Sequence, residues 1–187
     1  MTNLAALAAD LQQFCEQHRW KFCFIGGLAL QHWGEPRFTK DVDMTLLTGF
    51  GNEEKFVDLL LARFEGRVAN PKEFALRNRV LLLKSTDGIG IDIAMGALPF
   101  EESAVRRASD IELMPALILR LCSPEDLIVM KTFANRDQDW IDVRGILVRQ
   151  GANLDWKYVF AELAPLAELK EMPELVDRLE KLRQTLP

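Results

Sequence analysis

Apolar residues follow two periods along this chain. Near the start, Leu4, Leu7, Ala8, Leu11, Phe14 and Cys15 fall on one helical face and predict a helix over 3–18. The apolar run at 22–25 reads as a buried strand, which is placed over 21–25. A short helix follows over 28–33, ended by Gly34 and Pro36. Residues 41–47 read as a second strand, in which Asp41 and Asp43 point one way and Val42 and Met44 the other. A turn at 48–52 carries two glycines, with Asn52 as an N-cap. The next helix, 53–64, has Phe56, Leu59, Leu60 and Arg63 at helical spacing. Residues 80–84 form a strand, Asp87-Gly88 a turn, and 89–95 another strand. In that last strand Ile89, Ile91 and Ile93 share a face, leaving Gly90, Asp92 and Ala94 on the opposite one. A short helix at 100–108 precedes two short strands, 111–114 and 116–121, around Pro115.

From Ser123 the pattern is wholly helical. Ser123 is placed as an N-cap, Pro124 at the first helical position, and Glu125 and Asp126 in the first turn, where carboxylates favour the helix dipole. Helices are predicted over 124–134, 137–150, 156–169 and 173–185, with Pro165 expected to bend or divide the third. The element order predicts an α/β domain over 1–122 and a helical domain over 123–187 packed against it.

The chemistry concentrates in the run Gly26 to Asp43, GGLALQHWGEPRFTKDVD. A Gly-Gly pair opening a helix offers free backbone N–H groups of the kind that hold a phosphate. Asp41 and Asp43, one residue apart on a strand, converge and repel unless a cation lies between them, and oxygen ligands of this sort suit magnesium. Arg37 and Lys40 stand just before them. Asp92 is an acid within an otherwise apolar strand, and a buried carboxylate needs a partner. The glycine pair, the basic residues and the paired aspartates are each commonplace alone; in this order within the run from Gly26 to Asp43 they point to phosphoryl or nucleotidyl transfer.

Composition narrows the setting. The 187 residues are 49% hydrophobic and 27% charged, ordinary for a soluble globular protein. No apolar run approaches the ~20 residues of a membrane span. The apolar N-terminus lacks the basic start of a signal peptide. Cys15, Cys23 and Cys122 lie far apart without metal-ligand spacing, so reduced, buried thiols and a cytoplasmic location are expected. A net charge of −5 gives no global attraction to nucleic acid, so such a substrate would need a local basic patch. Arg77 with Arg79, and Arg106 with Arg107, are scattered candidates. His18 and His32 are read as structural.

With Gly26, Gly27, Asp41, Asp43 and Asp92 located, the pattern resembles the DNA polymerase β-like nucleotidyltransferase superfamily. Within it, PRFTKDVD (Pro36 to Asp43) resembles the Arg-x-x-Lys-Asp-x-Asp run of AbiEii/AbiGii-type minimal nucleotidyltransferases. PEDLIVMKTFANRDQDWIDV (Pro124 to Val143) resembles that group's helical motif, with Lys131, Arg136, Asp139 and Asp142 in place and Gln138 where a lysine is usual. The resemblance covers about Phe22 to Val148. It implies a mixed nucleotidyltransferase sheet with flanking helices and a helical bundle after it. It implies transfer of NMP from an NTP to an acceptor (RNA such as tRNA, a protein or a small molecule), with two magnesium ions, or manganese, held by Asp41, Asp43 and Asp92. Gly26, Gly27, Arg37, Lys40, Lys131 and Asp139 would serve the nucleotide. Lys131, on an apolar helix face, is expected to meet an anion, either a phosphate or Asp139. The biological role would be the toxin of a toxin–antitoxin pair, with an antitoxin as partner. The alternative is a catalytically silent nucleotide- or partner-binding module of the same fold.

Overall fold

The computed structural model describes residues 3–185. The chain divides into two compact units: Met1–Leu28 with Phe38–Cys122, and Ala29–Arg37 with Ser123–Pro187.

The first unit is a mixed α/β fold. In chain order it holds α1 (Asn3–Gln17), β1 (Phe22–Phe24), the start of α2 (Gly26–Trp33), β2 (Asp41–Leu47) and α3 (Glu53–Leu61). Then come β3 (Glu65–Gly66), α4 (Pro71–Asn78), β4 (Val80–Lys84), β5 (Gly90–Gly96), α5 (Pro99–Arg107), β6 (Ser109–Met114) and β7 (Leu117–Leu121). The strands form one sheet of seven in the order β3-β4-β5-β2-β1-β7-β6. β2 runs parallel to β5 and antiparallel to β1, and β1 is parallel to β7.

Alternation in the central strands decides which face is core. Val42 pairs with Ile91 and Met44 with Ile93, and on the neighbouring strand Leu83 and Leu81 meet the same isoleucines. All six are fully buried, in one cluster with Leu7, Leu11 and Cys15 of α1. The residues between them, Asp41, Asp43 and Asp92, must therefore stand on the other face. The three cysteines are buried, and none is in a disulfide. Burial, and then the charge of Glu16, push the Cys15 thiol up to about 12, so it stays protonated and inert.

Three elements lie where the hydrophobic pattern assigned none: β3, α4 and a short 3-10 turn, Gly151–Asn153. β3 has only two residues, too short to display a period, and α4 buries only Ala75 among its residues. Asn52 precedes α3 as expected, but its side chain does not cap the helix; its amide donates to the Phe50 carbonyl at 3.4 Å. α2 starts at Gly26, two residues earlier than its apolar pattern indicated, which brings both glycines into its first turn.

The second unit is helical: α6 (Pro124–Ala134), α7 (Asp137–Gln150), α8 (Trp156–Leu169) and α9 (Glu174–Gln184), with the end of α2. α6 touches α7, α8 and α9. It is buried on most sides, including Leu127, Ile128, Val129, Lys131 and Thr132, as a central helix must be. α8 continues as one helix through Pro165 rather than dividing there. Among the described residues no helix is long and apolar enough to cross a membrane.

The start of α6 is pinned by a buried polar knot. Ser123 Oγ accepts the Asp126 N–H at 3.2 Å and donates to Asp126 Oδ2 at 2.7 Å, while the Tyr158 hydroxyl donates to Asp126 Oδ1 at 2.6 Å. Removing one member leaves the fully buried Asp126 short of a donor. Ser123→Ala is expected to lower unfolding free energy by about 1–2 kcal/mol in urea titrations. With Tyr158→Phe it should be non-additive in a double-mutant cycle, because both act on one carboxylate.

Candidate active site

The polar face of the central sheet gathers the three aspartates of the first unit. Asp43 lies directly beside Asp92 in the parallel register, and Asp41 stands two residues before Asp43 beside Gly90. The sequence-predicted acids thus come together on one side of β2 and β5. Bare backbone makes the room. Gly26 has φ of +57°, where a side chain is strained, and a Cβ there would lie 2.2 Å from Asp43 Oδ2. A Cβ on Gly90 would lie 2.1 Å from Asp41 Oδ1. The Gly27 N–H points at Asp43 Oδ2 at 3.4 Å, so the opening turn of α2 faces this carboxylate. Thr39 packs where a Gly27 side chain would be, and its hydroxyl donates to the Asp41 carbonyl at 3.2 Å. Lys40 is exposed and makes no ion pair or hydrogen bond among the described residues.

A residue that sequence reasoning missed sits among the acids. Arg67, just beyond β3, spans two of them: Nη1 lies 3.4 Å from Asp41 Oδ1 and Nη2 2.5 Å from Asp92 Oδ1. Its backbone N–H donates to the Leu82 carbonyl at 2.9 Å, and Leu82 is the register partner of Asp92, so the side chain needs only to cross one strand. No spacing in the sequence marks it. The side chains of Arg67, Asp41 and Asp92 are 33%, 45% and 33% exposed. Ion pairs this open to water are each worth roughly 0–1 kcal/mol. Burial raises the Asp92 carboxyl above the usual aspartate range; Arg67 opposes that shift and the charge of Asp41 adds to it.

Three carboxylates on one face are an all-oxygen donor set, the chemistry that a hard divalent cation requires. The guanidinium between Asp41 and Asp92 is a stand-in for such a cation. Among the described residues no group of three His, Cys, Asp or Glu side chains is disposed to hold a metal ion. The donor set fits such a metal in kind.

The other candidate residues belong to the second unit, where they form a buried ion network. Lys131 Nζ lies 3.1 Å from Asp139 Oδ1 and 2.6 Å from Asp142 Oδ2. Arg37 binds Asp142 through Nε and Nη2, each at 2.9 Å, and Gln138 donates to Asp142 Oδ1 at 2.9 Å. Arg136 reaches Asp139 through Nε at 2.7 Å and Nη2 at 3.1 Å. Lys131, Asp139 and Asp142 are 6%, 1% and 2% exposed. Gln138, standing where the related motif has lysine, adds a neutral donor to a carboxylate that already has two cations. Burial raises both carboxyls, but for Asp139 the Arg136 and Lys131 contacts outweigh it, and for Asp142 those of Arg37, Lys131 and Gln138 do; both end below the usual range.

Breaking this network has a calculable cost. Lys131→Met removes a buried cation from two carboxylates that keep their other partners, and should destabilise by about 3 kcal/mol in urea unfolding. Acid should attack the same contacts. The unfolded aspartates take up protons near pH 4 and the folded ones only at lower pH. Their stabilisation is therefore full above about pH 4 and lost as pH falls through the lowered folded values. Urea midpoints followed downward from about pH 6 should show this loss in the parent and a shallower one in Lys131→Met. Asp92, raised instead, contributes with opposite sign and costs stability as pH rises through its folded value.

Comparison with known proteins sets this geometry in context. The chain is similar to a solved structure of ANT(2")-Ia in complex with adenylyl-2"-tobramycin, at 16% identity and a TM-score of 0.57, over 90% of this chain and 99% of that one. It is similar to an antigenic nucleotidyltransferase-like protein from Paracoccidioides brasiliensis, at 18% identity and a TM-score of 0.50, over 95% and 92% of the two chains. The lincosamide antibiotic adenylyltransferase LnuA, lincomycin-bound, is similar at 12% identity and a TM-score of 0.51, over 78% and 96%. At such identities the likeness establishes the nucleotidyltransferase fold and nothing finer. No curated protein gives a significant sequence match. Residues 9–170 match the family described as nucleotidyl transferase AbiEii toxin, type IV TA system. With that match running over most of its length, the chain belongs to the AbiEii nucleotidyltransferase family of type IV toxin–antitoxin systems.

Proposed function

We propose that this chain is a divalent-metal-dependent nucleotidyltransferase that moves NMP from an NTP to an acceptor hydroxyl, and that it acts as the toxin of its pair, with an antitoxin as partner. The observation that carries the reading is the register that sets Asp43 beside Asp92 with Asp41 on the same face, in space that Gly26 and Gly90 leave open. In this reading Asp41, Asp43 and Asp92 hold magnesium, or manganese in its place. The bound metal supplies Lewis-acid polarisation of the phosphates and lowers the pKa of the attacking hydroxyl.

The remaining steps belong to the chain. Gly26 and Gly27 bind the triphosphate through backbone amides at the start of α2, and Lys40, exposed and unpaired among the described residues, offsets its charge. The acceptor oxygen attacks the α-phosphorus, the bond to the β-phosphate oxygen breaks, and pyrophosphate leaves. Asp92 stands to take the acceptor's proton. Arg37, Lys131 and Asp139 have their charges satisfied within the helical unit, so their part in nucleotide binding is to hold that unit's shape. The acceptor is an RNA, a protein or a small molecule. Incubating the protein with each labelled NTP, Mg²⁺ and either total RNA or cell lysate, then locating the label, identifies it.

Asp43→Asn tests the site with little change in volume. It removes one like charge from the acid face, and should abolish transfer while leaving the melting temperature in chelator at or above that of the parent. Mg²⁺ with NTP should raise the parent's melting temperature by mass action, and the variant should lose most of that gain. A variant that melts well below the parent in chelator would mark Asp43 as a folding residue and remove the support for catalysis.

A further inference from the structure

Arg67 lies between two of the three carboxylates that the metal reading uses. Its two terminal nitrogens engage Asp41 Oδ1 and Asp92 Oδ1, one carboxylate from each central strand. The seat is built for this: a Cβ on Gly90 would lie 2.4 Å from Arg67 Nη1 as well as against Asp41, so only glycine admits the arrangement. The anchoring is light. β3 is two residues long at the edge of the sheet, and the Arg67 side chain is one-third exposed.

Resting on the metal-site reading above, we propose that Arg67 is a resident counter-cation that competes with the divalent metal for Asp41 and Asp92 and makes metal binding depend on nucleotide. Without nucleotide, the guanidinium screens the acids and must be expelled before a metal can bridge them. Its release costs least when another anion is at hand to receive it, and the triphosphate is that anion, since guanidinium forks match phosphate oxygens. Metal and nucleotide therefore bind as a pair. Arg67 exchanges a carboxylate partner for a phosphate partner, and the nucleotide-free protein holds metal weakly. Arg67 is a positioning residue for the metal and a direct contact for the nucleotide.

The test is Mn²⁺ titration of the full chain by calorimetry, alone and with an equimolar mixture of the four α,β-methylene NTPs, whose bridging carbon blocks transfer. Without nucleotide, Arg67→Gln should bind Mn²⁺ about tenfold tighter than the parent, because the competitor is gone and the acids remain. Adding the analogues should tighten Mn²⁺ binding much more in the parent than in Arg67→Gln. Arg67→Lys, which keeps a charge but cannot span both carboxylates, should gain about threefold and serves if the glutamine variant does not fold. A residue needed only for folding would weaken metal binding when replaced. Mn²⁺ affinity unchanged or weaker in these variants overturns the proposal. If the parent binds Mn²⁺ and Asp43→Asn loses it while the Arg67 variants match the parent, the metal site stands and the competition falls. If the parent binds no Mn²⁺ even with analogue present, both fall together.

Discussion

The parallel register of β2 on β5 is the constraint on which the candidate site depends. One face of these strands is closed by Val42, Met44, Ile91 and Ile93, packed against α1. A slip of one residue would turn that face to water and drive aspartates into the core, where an unpaired carboxylate costs several kcal/mol. The hydrophobic core thus enforces the meeting of Asp43 and Asp92. The acids repel each other, yet the burial of their neighbours holds them in place. Gly26 and Gly90 complete the arrangement by keeping side chains out of the space that the carboxylates occupy.

The two units treat negative charge in opposite ways. In the helical unit Asp139 and Asp142 face three cations and a glutamine amide, are almost sealed from solvent, and have several donors each. Such a network is expensive to open and specifies how α6 meets α7. On the sheet Asp41 and Asp92 share the Arg67 guanidinium, with a third or more of each side chain open to water. Ion pairs this open are weak, which is the condition for exchanging partners with a ligand. Placement of charge, more than its amount, separates the sealed cluster from the open one.

Much of the fold can be read from the sequence because it is local. Periodicity located 41–47, 80–84, 124–134, 137–150 and 156–169, since a strand or helix face shows directly in the spacing of apolar residues. Alternation alone put Asp92 on the face away from its isoleucines, and Ser123 and Pro124 announced the start of α6. The Gly-Gly and Asp-x-Asp motifs carried the family resemblance because their geometry is set within a few residues.

What tertiary structure decided is non-local. Periodicity cannot tell which strands become neighbours, so the pairing of Asp43 with Asp92 rests on the assembled sheet. Arg67 was invisible because the strand before it is two residues long and an arginine carries no mark of its partner until folding supplies one. The same holds for Lys131: its apolar helix face called for an anion, and only the packing of α6 on α7 gave it both Asp139 and Asp142. Arg37 sits in the same run as Asp41, yet folding assigned it to the helical unit and to Asp142. The sequence by itself determined the elements and the acids they carry. Packing, which alone brings distant charges within a few ångströms, determined what each charge faces.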